Sequence, residues 1–158
     1  MGSINSILEQ LTEALAQDDD ITTWSMDHYG RPLTVREHLN PRVSPKQGDC
    51  PLAIIYAIRK SGGHGVREKV HVFGIDVVVY DTGQEETQDN VIRYTPARHV
   101  EALRALIVAA VQTWVNSQDY LIDTAVTEYH WIDQLPFVGA SWDLVLVQKT
   151  TINADPVE

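Results

Sequence analysis

Cysteine and histidine are the side chains of this sequence best suited to chemistry, and they are scattered along it. The histidines are His28, His38, His64, His71, His99 and His130, and the single cysteine is Cys50. A cysteine nucleophile needs a histidine within hydrogen-bond reach and a local field that lowers the thiol pKa. No family signature surrounds Cys50, so a small apolar residue at a strand entrance is the favoured interpretation. A small hydrolase or nuclease that uses Cys50 with dispersed His and Asp residues stays open as an alternative.

The patterns that hold metals or phosphates are not found in the sequence. There is no CxxC and no helical His pair at i, i+4, and the combinations Asp27-His28 and Glu128-Tyr129-His130 are isolated. The glycine-rich run Ser61-Gly62-Gly63-His64-Gly65 lacks Gly-Lys-Ser/Thr and leads into a strand, which favours a flexible hairpin tip. The adjacent carboxylates of Asp18-Asp19-Asp20 and Glu85-Glu86 are typical of solvated loops. We therefore expect no catalytic, cofactor-binding or metal-binding residue and no cofactor, and we expect that the protein is not an enzyme.

Length and charge restrict the class of protein. At 158 residues and 44% hydrophobic, the chain predicts one domain over residues 1–150 and a polar, flexible tail over 151–158. Twelve basic and 22 acidic side chains leave a net charge of −10, which argues against nucleic-acid binding because phosphates are bound by Lys and Arg. A wall that DNA slides past without sticking would benefit from the same charge.

Cysteine use and hydropathy indicate a soluble protein. One cysteine allows no intrachain disulfide and fits a reducing compartment. The N-terminus lacks the pattern of a secretory signal, and no apolar run approaches the ~18 residues of a membrane span. We expect no membrane association.

The elements that would position these residues follow from periodicity. Residues Ser3–Gln17 predict an amphipathic helix, ended by the Asp18-Asp19-Asp20 turn. A possible strand at Ile21–Tyr29 precedes an irregular segment, Arg31–Asp49, with one helical turn around Leu33–Leu39.

Later elements are more regular. Strands are expected at Pro51–Arg59, Val70–Asp81, Tyr120–Trp131 and Trp142–Lys149, and a long helix at Pro96–Asn116 with Thr95 as its N-cap. Lys60–Lys69 should be a hairpin tip with concentrated positive charge, and Thr82–Asn90 an acidic loop. Gly74 predicts a bulge or a close approach inside its strand. Strands that do not alternate with helices favour an α+β fold, a mostly antiparallel sheet with a short N-terminal helix and one long helix on one face.

Tryptophan is abundant for this length. Trp114 and Trp142 are expected in the core, whereas Trp24 and Trp131 suit an interface as well as burial. The final strand is apolar on both faces, which indicates that both are covered, one of them by another subunit.

This order of elements resembles the tail terminator and neck (tail-completion) proteins of long-tailed bacteriophages. The matching stretches are Ile4–Leu15, Leu52–Arg59, His71–Asp81, His99–Trp114 and Ser141–Val147. The likeness covers most of the chain, although the segment Thr22–Asp49 is longer than expected for that family.

The resemblance implies a mechanical function in the virion. It implies a homo-oligomeric ring, commonly a hexamer, at the end of the tail tube, assembled in the host bacterial cytoplasm. Its partners would be the tail tube, the sheath protein and a head-completion or connector protein, and DNA would pass through the channel without specific binding. Heterologous contacts and strand addition at sheet edges would close the ring. Glu85, Glu86 and Asp89 are candidates for the channel wall. A collar or head-completion protein of the same particle is the nearest alternative.

Overall fold

A six-stranded mixed sheet with helices on one face forms the centre of the molecule in the computed structural model. The structure describes residues 3–38, 42, 44–61, 68–81, 85–123, 130–134 and 136–149. The helices are α1 (Ile4–Ala16), α2 (Asp19–Tyr29) and α3 (Thr95–Asn116). The strands are β1 (Thr34–Glu37), β2 (Leu52–Ser61), β3 (Glu68–Tyr80), β4 (Glu85–Gln88), β5 (Val91–Tyr94), β6 (Tyr120–Ile122), β7 (His130–Gln134) and β8 (Phe137–Lys149). The α+β class is confirmed.

The strand order of the main sheet is β1-β2-β3-β8-β6, and β7 also pairs with β8. β3 and β8 pair along their full length, so they form the rigid centre of the sheet. The outer edge of β8 is shared, since β7 pairs with its first half and β6 with its last residues. Among the described strands, β1–β2 is the one parallel pair, which confirms a mostly antiparallel sheet.

The main core lies between the helices and one face of the sheet, here called the covered face. Its side chains on β3 and β8 alternate strictly, as a half-buried sheet requires. They include Phe73, Ile75, Val77, Val79, Val138, Ala140, Trp142, Leu144 and Leu146, all buried. The opposite face, here called the open face, has a smaller cluster of Cys50, Leu52, Ile54 and Val78, to which no helix contributes.

The N-terminal helix is confirmed, but the acidic run that follows it begins a second helix. The Asp18 side chain accepts a hydrogen bond from the Ile21 N–H at 2.9 Å and so caps α2. Asp19 and Asp20 lie in the first turn, where carboxylates favour the positive end of the helix dipole. The predicted strand at Ile21–Tyr29 is therefore wrong. Carboxylates are unfavourable at the negative C-terminal end of α1, but the same residues suit the N-terminus of the next helix.

The irregular segment before β2 contains a strand instead of a helical turn. β1 pairs in parallel with the start of β2, so Thr34 lies opposite Leu52. Its four residues were too short for the alternation to be recognised in the sequence, and the pairing partner is 18 residues away. A 3₁₀ turn at Gln47–Asp49 then leads to Cys50.

β2 and β3 form a hairpin as predicted, but each strand extends two residues into the predicted tip Lys60–Lys69. Ser61 pairs with Val70, and residues 62–67, the rest of the predicted tip, lie outside the described residues. Gly74 provides the close approach that was expected. It pairs with Tyr56, and a side chain at Gly74 would collide with the Tyr56 ring. The register shift lies on β2, between Ala57 and Arg59.

The acidic loop predicted at Thr82–Asn90 is wrong over its second half. Glu85–Gln88 pairs with Val91–Tyr94 as a separate two-stranded sheet. Asp89 and Asn90 both have positive φ, the conformation of a two-residue type I′ turn. Asp-Asn is a weaker signal for this turn than Asn-Gly, and the flanking residues lack strong alternation.

Helix α3 carries the predicted apolar stripe against the sheet. It begins at Thr95, so Tyr94 holds the N-cap position and Pro96 lies in the first turn. Within the described chain, no helix is long and apolar enough for a membrane crossing.

The closing strands differ from the prediction in their bounds. Tyr120–Trp131 is not one strand, because β6 ends at Ile122 and β7 begins at His130. β8 starts at Phe137, five residues before the predicted Trp142. The predicted tail at 151–158 lies outside the described residues.

Candidate functional site

A polar aromatic cluster joins the end of α2, the second turn of α3 and the end of β3. The Tyr29 Oη and the His99 Nδ1 are 2.9 Å apart, and the same Nδ1 is 3.8 Å from the Asp81 Oδ2. Trp24 stacks on His28 at 4.7 Å between ring centroids, and the His28 ring meets His99 edge-on at 5.0 Å. The cluster therefore ties three elements together through residues far apart in sequence.

Burial keeps both the Tyr29 phenol and the His99 imidazole in their neutral forms at neutral pH. Burial raises the pKa of Tyr29, and the charge of Asp81 raises it further, so the phenol stays protonated. Burial also lowers the pKa of His99, with His28 acting in the same direction and Asp81 and Glu86 opposing. A neutral imidazole bound to a neutral phenol is a stable structural contact. Trp24 is half-buried here, which agrees with either of its two predicted roles, burial in the core or contact at an interface.

A small cavity of about 120 Å³ lies beside this cluster and is lined by Tyr29, Arg31, Gln47, Cys50 and Tyr80. Burial raises the pKa of the Cys50 thiol to about 11, with Asp49 adding to the rise and Arg31 and Arg36 opposing it. A thiol with that pKa is protonated at neutral pH and is a weak nucleophile. No hydrogen bond joins the thiol to a histidine among the described residues. Cys50 is 3% exposed, as expected for a small apolar residue at the entrance of β2.

A second cavity, about 70 Å³, lies between α3 and the sheet, and Ile75, Ile107, Val111 and Leu144 contribute to its lining. The Arg104 guanidinium lies 5.3 Å from the Trp142 ring centroid, a cation–π contact on the cavity wall. A volume of this size holds two or three waters and is far below that of a typical ligand pocket.

His71 is a buried histidine that sequence reasoning did not single out. It is 1% exposed, neither ring nitrogen has a hydrogen-bond partner, and the ring meets Tyr120 edge-on. Burial lowers its pKa, and Lys60 and Lys69 lower it further. Because valines lie on both faces of this strand, the sequence alone does not show that His71 faces the core.

Metal-ligand geometry is not found within the described residues, where no three His, Cys, Asp or Glu side chains converge. His38 and His28 lie at unrelated places on the surface, and His64 is outside the described residues. Asp18 caps a helix, and Glu85 and Glu86 are exposed on β4, so neither carboxylate group forms a buried acid–base pair.

The open face of the sheet carries a cluster to which none of the described helices contributes. The centre of this face is polar, because the Tyr56 hydroxyl donates to the Asp76 Oδ1 at 3.2 Å above Gly74. Burial and the charges of Asp76 and Asp143 raise the pKa of Tyr56 to about 12. The phenol therefore remains a hydrogen-bond donor at neutral pH.

One end of the open face is aliphatic, and we call it the aliphatic patch: Val70, Val145, Val147 and Leu121. Val70, Val147 and Leu121 lie in one row across β3, β8 and β6. The three valines are half-buried, and Leu121 is 52% exposed. This outcome agrees with the prediction that the second face of β8 is apolar.

The β4–β5 hairpin is a second exposed apolar surface. Ile92 is 65% exposed and Val91 is 45% exposed, which are high values for apolar residues in paired strands. Every residue of β4 is exposed, including Glu85 and Glu86. The hairpin meets the rest of the molecule at its base, where Tyr94 packs against the core.

No family model matches the chain, and no curated protein matches it.

Proposed function

We propose that this chain is a structural virion protein, a ring-forming tail terminator or neck subunit of a long-tailed bacteriophage. In this proposal it joins the tail tube to the head connector and lines the channel through which DNA passes. A collar or head-completion protein of the same particle is the alternative, and it requires the same ring.

The order of elements around the sheet is the observation that carries the proposal. A short helix, the long β2–β3 hairpin, one long helix and an apolar closing strand follow one another in the order that the resemblance implies. The strands β3 and β8 pair over 13 residue pairs, and in six of these a residue of His71–Asp81 lies opposite a residue of Ser141–Val147, which are two of the matching stretches.

Exposed surfaces give further support. Assembly into a closed ring needs two different surfaces on each subunit, which meet head to tail. The molecule presents the aliphatic patch and, at a separate place, the exposed Ile92 of the hairpin. Contiguous apolar side chains such as those of the aliphatic patch are typical of surfaces that are covered in an assembly.

The acidic side chains on the β4–β5 hairpin suit the wall of a channel through which DNA passes. Glu85, Glu86 and Asp89 are all exposed, and with Arg93 opposite Glu86 the hairpin has three negative charges and one positive charge. Carboxylates repel phosphates, so a wall of this kind would let DNA move without binding it. Placing them on the inner wall remains part of the proposal.

A cysteine hydrolase is the alternative from another class, and the state of Cys50 disfavours it. A thiol pKa near 11 is opposite to the shift that a nucleophile requires. Replacing Cys50 by alanine should leave the biological activity of the protein intact, whereas loss of an activity in a stably folded C50A variant would favour the hydrolase.

Assembly on tail tubes tests the proposal. The purified chain would be mixed with tubes polymerised from the tube protein encoded by the same genome, and the tube ends would be examined by negative-stain electron microscopy. We expect a ring with a central channel at one tube end and an end to further tube growth. Binding of the chain to bare duplex DNA, or tubes that grow on without a terminal ring, would contradict the proposal.

A further inference from the structure

The cavity beside the aromatic cluster has a guanidinium in its wall that forms no ion pair with the described residues. Arg31 is half-buried there, and its Nη1 donates to the Gln47 carbonyl at 3.2 Å. Within the described part of the chain, this neutral carbonyl is the one acceptor of the guanidinium. A guanidinium has several N–H donors in a planar fork, so most of them are left for another acceptor. A partly desolvated cation of this kind favours an anion beside it.

Local structure holds Arg31 in place from both ends. Its backbone follows the left-handed C-cap of α2 at Gly30, and its carbonyl accepts a hydrogen bond from the buried Ser25 hydroxyl at 2.6 Å. Its guanidinium lies against the 3₁₀ turn, since a Cβ added at Gly48 would be 3.8 Å from the Nη1. A cation that is already fixed loses little conformational freedom when it binds a ligand.

The other walls of the cavity are neutral. Burial raises the pKa of the Tyr29 phenol and of the Cys50 thiol, so neither group carries a negative charge at neutral pH. Tyr80 forms a further wall, and its ring meets Phe137 edge-on at 5.2 Å between centroids. The lining thus combines two aromatic rings and a thiol with a single cation.

Two carboxylates act on the lining without neutralising this cation. Asp49 raises the pKa of the thiol, and Asp81 raises the pKa of the Tyr29 phenol. The Asp49 Oδ1 is 3.1 Å from the Arg36 Nη2, so that charge is already paired. Asp81 does not line the cavity. The Arg31 guanidinium is therefore the one charged group among the described lining residues.

We propose that this cavity binds a small monocarboxylate, held by the Arg31 guanidinium. A carboxylate accepts two parallel N–H···O bonds from a guanidinium, which fixes its plane. The cavity of about 120 Å³ has room for about four waters, and acetate has the same number of non-hydrogen atoms. One cation balances a monocarboxylate, whereas the dianion of phosphate calls for more positive charge. This inference does not depend on the proposed ring.

Titration with sodium acetate tests the proposal by ¹H–¹⁵N NMR of the full chain, with sodium chloride holding the ionic strength constant. We expect saturable shifts of the Arg31 Nε–H signal and of the Gly48 and Cys50 amides. The dissociation constant should be on the order of 1 mM, because so small a ligand makes few contacts. Sodium phosphate at the same pH should bind about tenfold more weakly. Phosphate binding as tight as acetate binding would overturn the carboxylate class, and shifts that chloride reproduces would overturn the site.

Variants of Arg31 test whether the guanidinium holds the ligand. Arg31→Gln should abolish the saturable shifts, and Arg31→Lys should weaken acetate binding about tenfold, because an ammonium keeps the charge and loses the planar fork. Arg98→Gln is the matched control, since Arg98 is exposed on α3 and does not line the cavity. Undiminished binding in a folded R31Q chain would overturn the proposal. If R31Q does not fold, R31K decides, and wild-type affinity in that variant would equally overturn it.

Discussion

The two faces of the central sheet share strands but differ in how they exclude water. On the covered face, helices bury Phe73, Ile75 and Leu146 almost completely. On the open face, Val70, Val145 and Val147 stay half-buried although Val72 and Val78 are buried, and a tyrosine–aspartate hydrogen bond occupies the middle. The covered face is therefore buried along its length, whereas the open face is buried only in part. The difference teaches that the residue pattern along a strand shows how apolar each face is. It does not show which face the helices of the chain cover.

The largest test of this contrast is truncation of one side chain on each face. Phe73→Ala on the covered face should cost about 3–5 kcal/mol, because it removes a ring from a packed core. Val145→Ala on the open face should cost well under about 1.5 kcal/mol, because the valine is still partly in contact with water. Urea denaturation of both variants measures the difference, and equal losses would show that the open face is also part of the core.

A double-mutant cycle tests the contact between Gly74 and Tyr56 at the centre of the open face. Gly74→Ala should destabilise the protein by about 1–3 kcal/mol, because the new methyl group displaces the Tyr56 ring and its bond to Asp76. In a Tyr56→Ala background the same substitution should be neutral or stabilising, since alanine suits a strand better than glycine. Additive effects would contradict the packing described here.

Substitution of Asp18 tests how much the N-cap of α2 contributes to stability. Asp18→Ala removes the acceptor for the Ile21 N–H and should cost about 1 kcal/mol by thermal unfolding. Asp18→Asn keeps an oxygen acceptor at this position and is the matched control. A variant D18A as stable as the wild type would mean that the cap contributes nothing.

The smallest expected effect is the loss of stability at low pH that His71, on the covered face, causes. The pKa of His71 is lower in the folded protein than its ordinary value of 6.5, so the unfolded chain binds more protons near and below that pH. Stability should therefore fall as the pH drops below about 6.5. His71→Leu should flatten this part of the pH profile without loss of stability at neutral pH, since the imidazole has no hydrogen-bond partner to lose. His99 contributes a slope of the same sign, which remains in the variant.

Long periodic segments were predictable from the sequence, and short pairings were not. The stripe of α3 and the runs of β2, β3 and β8 gave the class and the two faces of the sheet. β1, β4 and β5 have four residues each, too few to establish a period, and their partners are set by tertiary contacts. The run Asp18-Asp19-Asp20 could be assigned to a helix end, but its direction depends on whether the residues after it form a helix.

The candidate surfaces were predictable in composition and not in position. The apolar second face of β8 and the acidity around Glu85 were visible in the sequence. That Leu121 joins Val147 and Val70 in one row depends on the register of three strands, which no local pattern specifies. The cluster of Tyr29, His99 and Asp81 likewise assembles from segments that have no common spacing.

The joint between α1 and α2 is only two residues long, Gln17 and Asp18. A linker of this length cannot absorb an inserted residue without moving α2. One inserted residue would rotate α2 by about 100° around its own axis, since each helical residue adds that angle. Ile21 would then turn out of the core and Trp24 away from His99. Natural length variation in relatives of this chain should therefore be rare at this joint and common in the 14 residues between β1 and β2.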